Sequence, residues 1–152
     1  MDSLHTQALF ASLREAPLLV GDLPEARSLD RSLLGRPAPT QTLNTQQKLG
    51  HLYEDALCHL LQGSQALQLL ADHVQVFDAQ GITVGEMDAL VLDRQRQAVM
   101  QLELAVKFYL AVPGDDGWQF PGPDPKDNWR RKLQRLRQRQ FRLAARPEAR
   151  RL

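Results

Sequence analysis

Apolar and polar residues alternate from Gly81 to Leu110, and a period of two over that length predicts two strands joined by a polar turn. In GEMDALVLD, Met87, Ala89 and Val91 point one way and Glu86, Asp88, Leu90 and Leu92 the other, while DRQRQ supplies the charged turn. The following AVMQLELAVKFYL puts Val99, Gln101, Glu103, Ala105, Lys107 and Tyr109 on one face. Its other face is unbroken and apolar, from Met100 through Leu102, Leu104, Val106 and Phe108 to Leu110. A shorter alternation, HVQVFDA, predicts a strand ahead of the GITVG turn.

Around these strands the period changes to that of helices. Residues 3 to 14 form a weak apolar stripe of Leu4, Ala8, Ala11 and Leu13 that ends before Pro17. From Gly21 to Thr45 the chain is rich in Pro, Ser, Thr and Gly, with PAPT at 37 to 40, and reads as a loop or loosely held arm. A helix then runs from Asn44 as N-cap to Gly63 as stop. Its stripe is Leu49, Leu52, Tyr53, Ala56, Leu57, Leu60 and Leu61, with Glu54 at the stripe's edge. Ser64 to Asp72 reads as a second short helix. Pro113 to Asp127 reads as a loop whose Trp118 either closes over a rim or plugs the core, and Asp127 is placed to cap a final helix. That helix carries Trp129, Leu133, Leu136, Gln140 and Leu143 on one face. The predicted organisation is an N-terminal helix and arm (1–43), an α/β domain (44–147) and a basic tail (148–152), with the order helix, three strands, helix.

Composition places this pattern in one domain: 152 residues, 43% apolar and 6% aromatic. Neither a near-18-residue apolar run nor a basic-then-apolar leader occurs, so no membrane span or secretion signal is expected. A single cysteine, Cys58, excludes an internal disulfide framework and reads as a reduced thiol in a cytoplasmic protein. The net charge of +1 hides a segregation. Residues 128–152 hold 10 Lys and Arg against one acid, while residues 1–127 hold 9 against 17. Such a basic helix suits a phosphate backbone, with Arg131, Lys132, Arg135 and Arg142 as the candidate contacts. It also suits docking on the chain's own acidic half.

The candidate chemistry lies on the hairpin. Pairing brings Asp88 and Glu103 within one or two rungs on one face, where neighbours are about 5 Å apart. Two converging carboxylates are a minimal magnesium site, able to leave room for a substrate phosphate. The plainer expectation is a solvated face, or pairing with Lys107 and arginines. Lys107 lies four residues past Glu103, about 13 Å along an extended strand. Glu54 can look past the core edge towards the sheet, or be an ordinary boundary glutamate. His51, Asp55 and His59 have a spacing compatible with zinc, but they fall on the solvent face and nothing closes the ligand set. His73 carries no signal of its own.

GEMD, QLELAVKFYL and GPDPKDNWRRKLQRLRQRQ, with LREAPLL and LGHLYEDALCHLL, resemble the bacterial family termed domain of unknown function 1853, whose members resemble PD-(D/E)xK phosphodiesterases. The likeness covers most of the chain and is most specific in TVGEMDAL with LELAVKFYL. It implies a restriction-endonuclease-like α/β core: a helix, a three-stranded mainly antiparallel sheet and a C-terminal helix. Glu54 in LYED matches the acid that a helix before the hairpin contributes in PD-(D/E)xK proteins, and Lys132 and Gln140 match a KLxxLxxxQ pattern. The resemblance thus implies a metal-dependent nuclease-like phosphodiesterase with Glu54, Asp88, Glu103 and Lys107 as catalytic groups and magnesium on Asp88 and Glu103. Two departures stand out. The usual third-strand acid and lysine are two residues apart, so either Gln101 and Glu103 occupy those positions with Glu in the lysine's place or Lys107 binds a phosphate farther along the groove. A strand should also follow the last helix where RPEARRL is a poor candidate, as in a member truncated before its fourth strand or one that finishes its sheet differently. No activity is established for the family, so the nuclease reading is fold-level analogy, and a noncatalytic nucleic-acid or protein-binding module on a degenerate nuclease fold is the alternative.

Overall fold

The computed structural model describes residues 3–38, 40–124 and 126–151. Pro39 of the PAPT stretch and Leu152 of the basic tail lie outside the described residues. The chain folds as a mixed α/β structure. Helices α1 (Ser3–Glu15) and α2 (Leu49–Gln62) precede an antiparallel sheet of β1 (Leu67–Phe77), β2 (Thr83–Asp93) and β3 (Ala98–Leu102), in the order β1-β2-β3. A small hairpin of β4 (Val112–Gly114) and β5 (Gly117–Gln119) follows, and then helix α3 (Trp129–Gln138). Beyond α3 the described residues make only short 3-10 turns, and no fourth strand joins the main sheet among them.

The main core lies between α2 and the sheet. Leu52, Ala56, Leu57, Leu60 and Leu61 are the buried stripe of α2, and they pack with Leu67, Ala89 and Val91 of the sheet. Each fully buried leucine of this kind contributes about 1.5–3 kcal/mol. Leu49, expected in the stripe, is exposed. The N-terminal segment belongs to the same core: α1 adds Phe10 and Leu13, and the loop after it adds Leu34 and Leu43. The face of α1 that packs is Thr6, Leu9, Phe10 and Leu13. Leu4, Ala8 and Ala11 are exposed, because Phe10 buries more apolar surface than two alanines can. A second cluster joins Val76, Met87 and Leu143, so the C-terminal segment closes the other end of the sheet.

Four expectations about element boundaries are corrected. Helix α2 starts at Leu49, four residues beyond Thr45. Asn44 instead accepts the Gln46 N–H in a local turn, and Lys48 occupies the cap position without a side-chain bond. Ser64–Asp72 is not a helix: β1 begins at Leu67 and pairs along β2, so the ladder overrides a helix-compatible local sequence. Strand β3 ends at Leu102 rather than running to Leu110. Helix α3 is capped by Asn128, whose side chain accepts the Arg130 N–H, and it breaks at Arg139 instead of continuing to Ala145.

Gly63 does stop α2, but not through a left-handed backbone, since its φ is −80°. It is glycine because the loop at Leu34–Arg36 crosses there. The Gly35 N–H donates to the Leu60 carbonyl at 2.9 Å, and the Ser64 hydroxyl donates to the Leu33 carbonyl at 2.6 Å.

Candidate functional site

Alternation on β2 survives intact. Met87, Ala89, Val91 and Asp93 are buried, while Glu86, Asp88, Leu90 and Leu92 are half-buried on the other face. The β2–β3 ladder runs from Asp93 opposite Ala98 to Ala89 opposite Leu102, and Asp88 and Glu103 are the residues just past its end, close enough for their charges to interact. The ladder stops there for a local reason. The Leu104 N–H, which would continue towards the neighbouring backbone, donates to the Asp88 Oδ2 at 2.7 Å.

On the other side of β2, Asp72 pairs with Ala89 and Val74 with Met87, which leaves His73 opposite Asp88. His73 of β1 and Glu103, the residue just past the end of β3, thus flank Asp88 from its two sides. His73 has a φ of 46°, in the left-handed region, and sits where the inward positions of β1 change from Leu67 and Leu69 to Val74 and Val76. Its Nδ1 lies 3.9 Å from the Glu54 Oε2 and 3.5 Å from the Glu86 Oε1. Glu54, which also bonds the His51 Nδ1 at 3.0 Å, comes from α2 and completes an acid-rich surround for Asp88.

Burial and mutual repulsion set the electrostatics. Desolvation is the main cause raising the Asp88 carboxyl above its ordinary range, and Glu54 and Glu86 push the same way against the Leu104 N–H. Glu103 is pushed up to about 7, chiefly by desolvation and then by Asp88. The Gln101 side chain, Gln140 and Lys132 act in the opposite direction. The Gln101 amide holds the site to the C-terminal segment: its Nε2 donates to the Glu103 Oε1 at 2.6 Å and to the Gln140 carbonyl at 2.9 Å, and its Oε1 accepts the Ala144 N–H at 2.9 Å.

The predicted residues therefore divide. Glu54, Asp88 and Glu103 come together, and Lys132 of α3 lies within electrostatic reach of Glu103. Lys107 lies beyond the end of β3 and pairs with Asp127 at 3.4 Å; the Tyr109 hydroxyl donates to the same carboxylate. Arg131 donates to the Lys126 carbonyl, Arg135 lies on α3, and Arg142 lies in the 3-10 turn that follows it. Trp118 stays exposed on β5. Sequence reasoning missed His73 and Glu86. His73 already opens the HVQVFDA strand and Glu86 already shares the Asp88 face; the missing signal was the β1–β2 register, which sets His73 beside Asp88.

A cation here would meet two half-buried carboxylates whose charges repel. Among the described residues, no three His, Cys, Asp or Glu side chains converge as a ligand set. Magnesium is commonly held by only one or two carboxylates with waters filling the remaining positions, so Asp88 and Glu103 fit it.

The fold and site thus define a mixed α/β protein with two neighbouring half-buried carboxylates in electrostatic reach of a basic helix. The chain belongs to the family described as domain of unknown function (DUF1853), whose model matches residues 6–152. No curated protein and no solved structure matches it. No helix among the described residues is long and apolar enough to cross a membrane.

Proposed function

We propose that the chain is a magnesium-dependent, nuclease-like phosphodiesterase acting on nucleic acid, with Asp88 and Glu103 holding the metal. The observation that carries this reading is the closeness of two half-buried carboxylates, each raised in pKa by burial and by acidic neighbours, with Lys132 of α3 in electrostatic reach. Leaving two such charges unpaired is costly, and a divalent cation offsets the cost. Bound magnesium would supply a Lewis acid for a phosphoryl oxygen and lower the pKa of an attacking water.

The protein's own groups do the rest. Glu54, held between His51 and His73, orients water and accepts its proton on the Asp88 side of the site. Lys132 balances charge on the reacting phosphate from the Glu103 side. The half-exposed Lys107–Asp127 pair is weak enough to exchange its carboxylate for a phosphate farther along the groove. Arg131, Arg135 and Arg142 contribute backbone attraction that falls with salt.

Labelled single-stranded DNA, duplex DNA and RNA incubated with magnesium or manganese test the reading. At least one is expected to be cut, with no cutting in EDTA or by Asp88→Asn. Intact substrates under every metal condition would contradict it. They would favour a noncatalytic nucleic-acid or protein-binding module, a reading supported by the engagement of Lys107 with Asp127 instead of with the carboxylate pair.

A further inference from the structure

The arginine face of α3 already holds an anion supplied by the chain itself. Glu25 receives two side-chain donors of Arg137 in the forked geometry: Nη2 to Oε1 at 2.7 Å, and Nε to Oε1 and Oε2 at 3.1 and 3.0 Å. The two residues are 112 positions apart in sequence. Around this pair lies a cleft of about 420 Å³, lined also by Arg130, Leu133, Gln138 and Arg142.

Glu25 is presented by a small self-contained loop. Leu23 and Ala26 exchange backbone hydrogen bonds across Pro24 and Glu25, and Asp22 accepts the Ser28 N–H at 2.8 Å. The loop is tethered on both sides, by Leu13 of α1 before it and by Leu29 after it, both packed on the main core. Its tip is therefore held by local hydrogen bonds, separately from the core packing of Leu13 and Leu29.

A guanidinium fork recognises carboxylate and phosphate with the same two-donor geometry. The Glu25–Arg137 pair is also partly exposed, at 21% and 43% for the two side chains, and surface pairs of this kind are readily exchanged. Glu25 removes one cation from the basic face and adds one negative charge beside Arg142.

We propose that the Arg130, Arg137 and Arg142 cleft is a binding site for the phosphodiester backbone of nucleic acid, and that Glu25 is a built-in competitor displaced when the backbone enters. The proposal rests on the nucleic-acid part of the reading above but not on metal or cleavage. It adds Arg137 as a contact and a loop that sets affinity from outside the carboxylate pair.

Fluorescence anisotropy of a labelled 20-base-pair duplex in EDTA tests this with the full chain. Freeing one phosphate contact raises affinity about five- to tenfold near 0.1 M monovalent salt and steepens the salt slope by about one. Glu25→Gln and Glu25→Ala, both at a part-buried loop tip outside the core, are expected to show that gain. Glu25→Gln combined with Arg137→Gln is expected to lose it. Equal binding by wild type and both Glu25 variants would overturn the competitor and leave nucleic-acid binding standing. Absence of binding by every form at low salt would overturn both, while metal binding at Asp88 and Glu103 would be judged separately. A gain that persists in the double variant would also overturn the proposal, because it would then be a general charge effect and not release of Arg137.

Discussion

Glu103→Gln is expected to abolish metal-dependent cleavage while making the metal-free protein more stable above neutral pH. Loss of an outer-shell partner of a metal ligand costs about 10–100-fold in affinity or activity, so loss of a ligand itself should exceed about 100-fold. The stability effect follows from the proton balance. In the unfolded chain Glu103 titrates near its ordinary 4.5, and in the folded protein it is pushed up to about 7. Between those values the folded state holds more protons than the unfolded one, so stability falls as pH rises through that window. The carboxyl is only half-buried, so the fall due to Glu103 should be about 1–2 kcal/mol. Glutamine keeps the acceptor that the Gln101 amide uses and removes the charge. Melting temperatures from pH 4 to 8 should therefore converge below pH 4.5 and separate in favour of the variant by pH 8. Part of the slope should remain, because Asp88 is raised as well. A variant less stable than wild type at pH 8 would show Glu103 acting as a structural ion-pair partner.

Gly35→Ala is expected to damage the fold more than any change at the site. A methyl group on Gly35 would fall on the Gly63 carbonyl and the Ser64 nitrogen, and one on Gly63 would fall on the Arg36 carbonyl. These obstacles are backbone atoms, which no rotamer change can move. Relieving the clash separates the loop from α2, which breaks the Gly35-to-Leu60 hydrogen bond and the seat of buried Leu34. A cost of about 3 kcal/mol or more is expected, lowering the melting temperature by about 10 °C. Gly21→Ala is the matched control, since nothing lies within 4 Å of the methyl group it would add. Equal melting of Gly35→Ala and wild type would mean that the crossing is looser than the structure describes.

The hairpin and the two acids were legible in the sequence because β2 alternates without a break and its inner face is apolar from Met87 to Val91. The stripe of α2 was legible for the same kind of reason. What could not be read depended on partners distant in sequence. QALQLLAD has helical spacing, yet it becomes strand because β2 offers a ladder. LAVKFYL is strongly β-prone, yet β3 ends at Leu102 where the Asp88 side chain takes the Leu104 N–H. Asp127 looked like a helix cap, but Asn128 next to it does the capping and Asp127 binds Lys107 and Tyr109. His73 became visible only through the register, and the Glu25–Arg137 fork has no local pattern at all.

Calorimetric titration of the metal-free protein with manganese at pH 7 tests the paired-carboxylate site most directly. With Glu103 pushed up to about 7, closing the site should release a fraction of a proton, visible as a dependence of the heat on the buffer's ionisation enthalpy. The account predicts one binding event with that proton release in the wild type and neither in Asp88→Asn. Identical titrations for wild type and Asp88→Asn, or no binding by a folded wild-type protein, would contradict it.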